Sequence, residues 1–449
     1  MTELAATYWC EHAWLGDPTA GVQAGVALTI DGDRVVDVHT DVAHPPRSAE
    51  LLSGLTVPGF ANAHSHAFHR ALRGRTHGAA GSFWTWRDQM YDLAGRLDPD
   101  RLRALARATF GEMALAGFTC VGEFHYLHND SGGATYADPN AMASAVQQAA
   151  TEAGVRLTLL DACYLDGGFG AAPERAQQRF IDPDPTVWVQ RVDALTPSTT
   201  FRVAAAVHSV RAVDPAAIEV VAAWAEGRAA PLHAHVSEQP AENEQCLAAH
   251  GCTPTELLFR HGALSDRFTA VHATHVTDDD LARLTSAGAM GCFCPTTERD
   301  LADGIGPSAA LCAAGVSLCL GTDSHAVIDP FEEARAVELD ERLRSHQRGT
   351  HSPPELLTMA TGAGYRSLGW PEGGRIEAGA LADLTTIGLD SVRLAGTDLA
   401  AVDAAVVFGA TSTDVRQVMM GGQVIVRDGV HVRLDVAREL QRSIEAAWA

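Results

Sequence analysis

Short apolar runs alternate with segments of helical periodicity along most of the chain, and few folds are compatible with this alternation. One unit contains the helical period Arg101 to Ala116, then Gly117, then the apolar run Phe118 to Gly122. The gaps between runs are long enough for crossover helices, which parallel strands require. The candidate strands end near His64, Glu123, Asp161, His208, His235, His272, Cys292 and Asp323. Eight such units predict an α/β fold, a closed parallel (β/α)8 barrel of the TIM type.

The two ends of the chain carry a different pattern, with short strands and turns. Val22 to Ile30 and Arg34 to Val38 flank the turn Asp31-Gly32-Asp33, which predicts a hairpin. Further strand-like runs follow near the C-terminus, at Ala382 to Ile387, Ala404 to Phe408, Val415 to Met420 and Val424 to Arg427. We therefore expect β-rich structure at both ends of the chain.

The charge composition excludes several classes of function. The 449 residues include 56 acidic and 33 basic residues, which gives a formal net charge of −23. A field of this sign repels phosphate backbones and anionic bilayers, so we expect neither nucleic acid nor a membrane as a partner. All 33 basic residues are arginine. Without lysine, the chain cannot form a Schiff base, supply a phosphate-loop lysine or carry a carboxylated lysine that bridges two metals.

The cysteines indicate a reducing environment. Nine cysteines lie between Cys10 and Cys319 without a CxxC pair, and no basic-then-apolar signal segment begins the chain. No apolar run approaches the roughly 20 residues that span a bilayer. We therefore expect reduced thiols and a cytoplasmic location.

Paired histidines recur at the ends of two candidate strands. His64 and His66 follow an apolar stretch two residues apart, so on a strand they share one face. His233 and His235 repeat this spacing, and Glu238 follows three residues later. Two imidazoles with this spacing can bind one Zn²⁺ together. Taken alone, each pair could equally be hydrogen-bonded loop or core histidines.

Two more polar residues end later apolar runs. His272 follows one run and Asp323 follows another. Individually, His272 could be a polar cap and Asp323 could cap a helix that begins after Ser324. Active sites of (β/α)8 barrels lie at the carboxyl ends of the strands, where all of these residues are placed. Their joint placement therefore favours one shared metal site.

This set of strand-end residues resembles the amidohydrolase superfamily, which has HxH on the first barrel strand, single histidines on the fifth and sixth, and Asp on the eighth. The resemblance spans nearly the whole chain. It implies a barrel over residues 57–372 and a small composite β-sandwich built from residues 1–56 and 373–449, the latter with a terminal helix. The HxxE segment His235 to Glu238 is similar to the deaminase branch, in which one metal suffices.

A closer resemblance is to the formimidoylglutamate deiminase family of histidine degradation. It rests on separated strings: His64 to Phe68, Ser82 to Arg87, Glu123 to Tyr126, His208 to Val213, and Thr296 to Glu298 with Asp303 to Ile305. This likeness implies hydrolysis of a linear amidine, N-formimino-L-glutamate, to N-formyl-L-glutamate and ammonia.

The resemblance also implies a role for each site residue. One Zn²⁺ per chain would be held by His64, His66, His235 and Asp323. Proton transfer would involve Glu238, His272 and Asp323. The substrate would be bound by His69, Arg87, Tyr126, His208 and Arg211. The chain departs from the family pattern at His69, where family members carry Gln.

The expected partner is a small dicarboxylate substrate, and we expect a homodimer. A protein at −23 repels such a dianion unless Arg87 and Arg211 grip it locally, because guanidinium binds carboxylate through two parallel hydrogen bonds. Both could instead be surface arginines paired with acidic neighbours. Two alternatives remain open: an aminohydrolase of the same branch acting on a purine, pyrimidine or triazine ring, and a non-catalytic barrel kept as an assembly module.

Overall fold

The computed structural model describes residues 5–77, 81 and 83–449. In this part of the chain there are sixteen strands. The N-terminal strands are β1 Ala6–Trp14, β2 Val22–Asp31, β3 Arg34–His39 and β4 Glu50–Pro58. The next eight are β5 Phe60–Ser65, β6 Phe118–His125, β7 Arg156–Cys163, β8 Phe201–Val207, β9 Leu232–Val236, β10 Phe268–His272, β11 Met290–Phe293 and β12 Ser317–Leu320. The C-terminal strands are β13 Leu384–Ile387, β14 Val415–Met420, β15 Gln423–Arg427 and β16 Val430–His431.

Helices connect the strands. The α-helices are α1 Phe83–Arg96, α2 Pro99–Leu115, α3 Ala141–Ala153, α4 Pro185–Asp193, α5 Pro215–Gly227, α6 Pro240–His250, α7 Pro254–Arg260, α8 Asp278–Ala287, α9 Pro295–Asp300, α10 Ser308–Ala314, α11 Pro330–Ser345, α12 Pro353–Thr358, α13 Gly364–Ser367, α14 Val402–Gly409 and α15 Val436–Trp448. Short 3₁₀ turns lie at Ala67–Leu72, Arg175–Arg179, Leu399–Ala401 and Ser412–Asp414, and a π-helical turn lies at Met359–Ala363.

Several of these helices begin with the same local signal. Asp98, Asp184, Asp214 and Asp329 each accept a hydrogen bond from a first-turn N–H, and each is followed by proline at the first helical position. The aspartate satisfies an N–H that has no partner inside the helix, and proline lacks the N–H that would otherwise be unpaired there.

Strands β5 to β12 form one parallel sheet in chain order. An isolated parallel bridge between Ser65 and Asp323 joins its first and last strands, and His64 O accepts hydrogen bonds from the N–H groups of Thr322 and Asp323. The closure requires glycine at Gly321, because an added Cβ would lie 2.7 Å from the Cβ of His64. The sheet with its surrounding helices confirms the predicted (β/α)8 barrel.

The remaining strands form a second sheet from both ends of the chain. Its order is β16-β15-β14-β13-β4-β1-β2-β3, so β13 pairs with β4 across the two terminal segments. The predicted hairpin is present as β2 and β3, which pair antiparallel. Strand β4 ends at Pro58, and Phe60 begins the first barrel strand. Only Gly59 separates these two strands, so the chain passes directly from the sheet of the termini into the barrel.

One predicted strand is wrong. Residues Ala404 to Phe408 lie within α14, not within a strand. Val402, Val406 and Val407 are buried, a helical spacing on one face. A short apolar run does not distinguish a strand from a buried helix by periodicity, so tertiary packing decides. No helix in the described part of the chain is both long and apolar enough to cross a membrane.

Candidate active site

Four potential metal ligands converge at the carboxyl ends of the barrel strands. His64 lies on β5, His66 directly follows that strand, and His235 lies on β9. A ligand atom of each lies within 4.8 Å of the others. The Nε2 atoms of His64 and His235 are 3.1 Å apart. Asp323 follows β12, and its Oδ1 lies 3.4 Å from His64 Nε2 and 3.3 Å from His66 Nε2. The barrel thus brings together residues separated by more than 250 positions in the chain.

The protonation of these groups suits a cation. Burial lowers the pKa of His64 and lowers those of His66 and His235 well below the ordinary value, so the three imidazoles are neutral. Burial alone would raise the pKa of Asp323, but hydrogen bonding and charge interactions with the histidines outweigh it and hold this pKa well below its usual range. Three neutral imidazoles and one carboxylate are a donor set that Zn²⁺ prefers.

Backbone carbonyls orient two of the imidazoles. His66 Nδ1 lies 2.8 Å from Phe124 O, and His235 Nδ1 lies 2.8 Å from His208 O. Because a neutral imidazole that donates from Nδ1 has its lone pair on Nε2, both rings present Nε2 to the shared centre. The Nε2 atoms of His64 and His235 are close enough for one cation to be held between them. The residues therefore fit a bound metal ion.

Several backbones at these strand ends are in the left-handed region. The φ angles are +51° at Ser237, +68° at His272 and +41° at Asp323. Each such non-glycine residue costs about 1–3 kcal/mol, and residues of this kind cluster at functional sites. The strain lies at the turns that aim Glu238, His272 and Asp323 into the cavity.

Glu238 and His272 form an acid–base pair beside the metal ligands. Glu238 Oε1 lies 3.7 Å from His272 Nε2, and His272 Nε2 lies 3.9 Å from Asp323 Oδ2. On the other side of the ring, His272 Nδ1 is 3.3 Å from Glu298 Oε1. His272 Nε2 is buried without a hydrogen-bond partner among the described residues. It is therefore available to a ligand in the cavity.

Both pKa values of this pair are raised, for different physical reasons. Burial raises the pKa of Glu238 to about 7, although His272 and Arg211 oppose the shift. Burial by itself would lower the pKa of His272, but the carboxylates of Glu238, Glu298 and Asp323 outweigh it and raise the pKa to about 10. A carboxyl group with a pKa near neutrality is suited to pass protons in both directions.

A cavity of about 240 Å³ opens above these groups. Arg87, on α1, lines it, with its guanidinium carbon 4.7 Å from the ring centroid of Trp84 and 5.3 Å from that of Tyr91. Its Nε is buried without a hydrogen-bond partner, and it forms no ion pair with a carboxylate in the described residues. The alternative interpretation of Arg87 as a surface arginine paired with an acidic neighbour is therefore wrong. Arg87 is a cation on a cavity wall with its hydrogen-bonding edge unused.

Arg211 also lines the cavity, and it has acidic neighbours. Its Nη2 is 4.0 Å from Glu238 Oε2, and its Nε is 3.8 Å from Glu242 Oε1. These separations exceed hydrogen-bonding distance. Glu242 also accepts a hydrogen bond from the N–H of Glu238 at 3.3 Å. Arg211 is held electrostatically between two carboxylates, and its guanidinium makes no hydrogen bond within the described residues.

The other predicted binding residues lie on the same cavity wall. His69 Nε2 and Tyr126 Oη are 2.8 Å apart, and burial lowers the pKa of His69 to about 3, so this ring is neutral. His208 packs against Tyr164, with ring centroids 4.4 Å apart. The string Ser82 to Arg87 lies on α1 from Phe83 onward, whereas Ser82 lies outside the described residues.

Sequence reasoning missed part of this wall. Tyr91, Tyr164 and Gln177 line the cavity, although they carry no motif. Gln177 Nε2 donates to the Tyr164 hydroxyl at 2.8 Å. The sequence signal that points to them is the Gly, Trp and Arg clusters in two wide gaps between candidate strands, Ala67 to Asp100 and Tyr164 to Thr200. Such gaps are typical of long loops over a barrel mouth.

A second histidine cluster lies beside the cavity but is an ion-pair network. His125, His128 and Asp161 offer ligand atoms within 4.8 Å of one another. Arg191 forms an ion pair with the Asp161 carboxylate, with its Nη1 2.8 Å from Asp161 Oδ2. Its Nη2 lies 2.9 Å from Asp182 Oδ2. A guanidinium already supplies the positive charge, so the cluster joins β7 to the following loop.

The chain is similar to known hydrolases over nearly its whole length. The sequence model of the amidohydrolase family matches residues 55–425. A formimidoylglutamate deiminase of Pseudomonas aeruginosa is 36% identical over 85% of this chain and 87% of its own length. A 5-methylthioadenosine/S-adenosylhomocysteine deaminase of Natronomonas pharaonis is 28% identical over 95% and 92%. The crystal structure of an amidohydrolase from Brucella melitensis superposes with a TM-score of 0.91 at 32% identity, covering 99% of this chain and 100% of that one.

Proposed function

Because this chain belongs to the amidohydrolase family, we propose that it is a metal-dependent deiminase that hydrolyses N-formimino-L-glutamate to N-formyl-L-glutamate and ammonia. The observation that carries the proposal is Arg87. This arginine has no ion-pair partner in the described chain and lines the same cavity as the metal-ligand cluster. A cavity lined both by a free guanidinium and by a metal-ligand cluster fits a small substrate that ends in a carboxylate.

A second cation extends this recognition to a dianion. Arg211, in the loop after β8, lines the same cavity. Its guanidinium makes no hydrogen bond within the described residues, and its contacts with carboxylates are 3.8 and 4.0 Å long. We assign the two substrate carboxylates to Arg87 and Arg211, with His69, Tyr126 and His208 completing the binding wall. Because His69 is neutral, it would contribute a hydrogen bond where family members use the amide of Gln.

We assign one Zn²⁺ per chain to His64, His66, His235 and Asp323. A bound Zn²⁺ acts as a Lewis acid and makes water a nucleophile near neutral pH. The lysine-free sequence excludes a bridging carboxylated lysine, which agrees with a mononuclear site. Glu298 and the backbone carbonyls behind His66 and His235 fix the orientation of the rings around this centre.

The proton transfers fall to three residues of the chain. Asp323 and His272 lie next to each other. Asp323 would accept the proton of the attacking water, and His272, which its raised pKa keeps protonated, would orient that water through a hydrogen bond. Glu238 would deliver a proton to the departing nitrogen, which otherwise is a poor leaving group. Its pKa of about 7 allows it to accept and donate within one cycle. The formimino carbon gains the water oxygen, its bond to the terminal nitrogen breaks, and ammonia leaves with the transferred proton.

The alternative function is deamination of a ring substrate, because the relative from Natronomonas pharaonis is named a 5-methylthioadenosine/S-adenosylhomocysteine deaminase. A neutral ring would leave the guanidinium of Arg87 without a partner, which costs binding free energy. The complete ligand set also argues against a non-catalytic barrel. We further propose a cytoplasmic location, with which nine free cysteines agree, eight of them buried. We also propose a homodimer.

Ammonia release from the zinc-loaded protein tests the proposal. N-formimino-L-glutamate is compared with guanine, cytosine and 5-methylthioadenosine at equal concentration, and Glu238→Gln provides the background rate. We expect turnover of the formimino compound alone. A preference for any of the rings, or equal rates in wild type and Glu238→Gln, overturns the proposal.

A further inference from the structure

Arg179 is a buried arginine that no part of the proposed reaction uses. It ends the 3₁₀ turn Arg175–Arg179 in the loop after β7, and it is 2% exposed. No carboxylate in the described residues forms an ion pair with it. Its guanidinium donates instead to three backbone carbonyls: Ala94 O, Leu97 O at 2.9 Å and Asn129 O at 3.3 Å. Burial of a guanidinium without a counter-ion is costly, so this arrangement calls for a compensating role.

The three carbonyls belong to two other segments of the chain, the C-terminal end of α1 and the loop after β6. Ala94 and Leu97 lie at the C-terminal end of α1, where helix carbonyls lack partners within the helix. The negative end of the helix dipole also lies there, which favours a cation. Asn129 lies in the loop after β6. Arg179 therefore joins α1, the β6 loop and the β7 loop at one point.

Helix α1 is the element that carries the carboxylate-binding wall. Trp84, Arg87 and Tyr91 all lie on it and all line the cavity. Arg87 has no ion pair that fixes it, so its position depends on how α1 is docked. Residues of the Arg179 turn reach the same wall: Phe180 packs 5.7 Å from the Tyr91 ring.

We propose that Arg179 is a positioning residue that clamps the C-terminal end of α1 and so places Arg87 over the cavity. This rests on the proposed function for its kinetic consequence, but the clamp itself is a property of the fold. Glu238 and His272 lie on other loops, after β9 and at the end of β10. Loss of the clamp would weaken the binding of the carboxylate and leave the proton transfers in place.

Hydrogen exchange of the zinc-loaded protein tests the clamp without any substrate. In Arg179→Met, we expect amides of α1 to exchange at least about tenfold faster. The substitution removes two hydrogen bonds to the C-terminal end of α1 and one to the loop after β6. Exchange in α2 and in the barrel strands should stay within the error of the wild type. The matched control is Arg175→Met, which makes the same substitution at an exposed position of the same turn.

Kinetics then test the consequence for the reaction. On N-formimino-L-glutamate, Arg179→Met should raise KM at least about tenfold with kcat within about threefold of wild type, since only binding is changed. Metal content should be unchanged. Arg179→Lys keeps the charge and can reach one or two of the carbonyls, so both effects should be intermediate. If Arg179→Met does not fold, Arg179→Lys carries the same comparison.

The two proposals fail separately. If the wild type releases no ammonia from N-formimino-L-glutamate, the exchange result still decides the clamp. Unchanged exchange in α1, or an increase spread evenly over the whole barrel, overturns the clamp even when the enzyme is active. A fall in kcat with KM unchanged in Arg179→Met overturns its role in carboxylate placement.

Discussion

Replacement of Arg87 by methionine isolates the contribution of one cation to substrate binding. Methionine keeps an apolar stem against Trp84 and Tyr91 and removes only the guanidinium. Because Arg87 forms no ion pair with a described carboxylate, the substitution leaves no buried charge behind. We therefore expect the melting temperature and the metal content to remain at wild-type values.

The magnitude follows from the contact that is lost. A bidentate carboxylate contact consists of two charge-assisted hydrogen bonds worth about 1.5–3 kcal/mol each. Arg87 is only partly buried, so solvent screening reduces the sum, and we take about 1.5–3 kcal/mol for the pair. At about 1.4 kcal/mol per tenfold, kcat/KM on N-formimino-L-glutamate should fall about 10- to 100-fold, mainly through KM.

The assay is steady-state ammonia release over a range of substrate concentrations, with Arg96→Met as the control. Arg96 lies on the same helix but pairs with Asp92 at the surface, so its loss should leave kcat/KM unchanged. Full activity of Arg87→Met, or a loss confined to kcat, would refute the assignment of Arg87 to a carboxylate.

Arg211 does not allow an equally clean test. It lies between Glu238 and Glu242, and its charge holds the pKa of Glu238 down against burial. Arg211→Met should therefore raise that pKa as well as weaken binding. We expect a larger loss than in Arg87→Met, with the pH dependence of kcat displaced to higher pH.

Three further outcomes follow from the site. Glu238→Gln should retain its zinc and lose about 10²- to 10⁴-fold in kcat, because an amide fills the space but carries no proton; near-normal turnover would contradict the proton shuttle. His235→Ala should lower the zinc content measured by elemental analysis to well below one per chain, whereas His233→Gln, on the same strand but bonded to a backbone carbonyl, should keep it; two metals per wild-type chain would contradict the mononuclear site. Burial raises the pKa of Glu123 from 4.5 to about 8, so the folded state binds this proton more tightly than the unfolded state, and its stability contribution is complete below about pH 4.5 and is lost as pH rises through about 8. Glu123→Gln removes this titration, so its melting temperature relative to wild type should rise between about pH 5 and pH 9; a constant difference would show that Glu123 is ionised in the fold.

The alternation of apolar runs and helical periods was sufficient to predict the barrel. The order of the eight strands follows from it, because parallel neighbours need crossover helices and these must share one handedness. The candidate ligands were also visible in the sequence, since an HxH pair on a strand places both imidazoles on one face. The spacing of these histidines is a local property of the chain, so the sequence pattern is enough to identify them as candidate ligands.

Packing decided what the pattern left open. The run Ala404 to Phe408 has no period long enough to separate helix from strand, and burial of Val402 and Val406 against neighbouring helices makes it helical. The aromatic wall of Tyr91 and Tyr164 carries no motif, because loop residues share a cavity only after the loops are folded over the barrel mouth.

The contrast between the arginines shows the same limit most clearly. In the sequence, Arg87, Arg179 and Arg211 are three of 33 identical residues. In the structure, one is unpaired on a cavity wall, one is buried on backbone carbonyls and one lies between two carboxylates. The sequence alone determined that every basic side chain other than histidine in this protein is a guanidinium. Only the tertiary structure decided which arginine has its charge free, because that depends on distances between loops that are far apart in the chain.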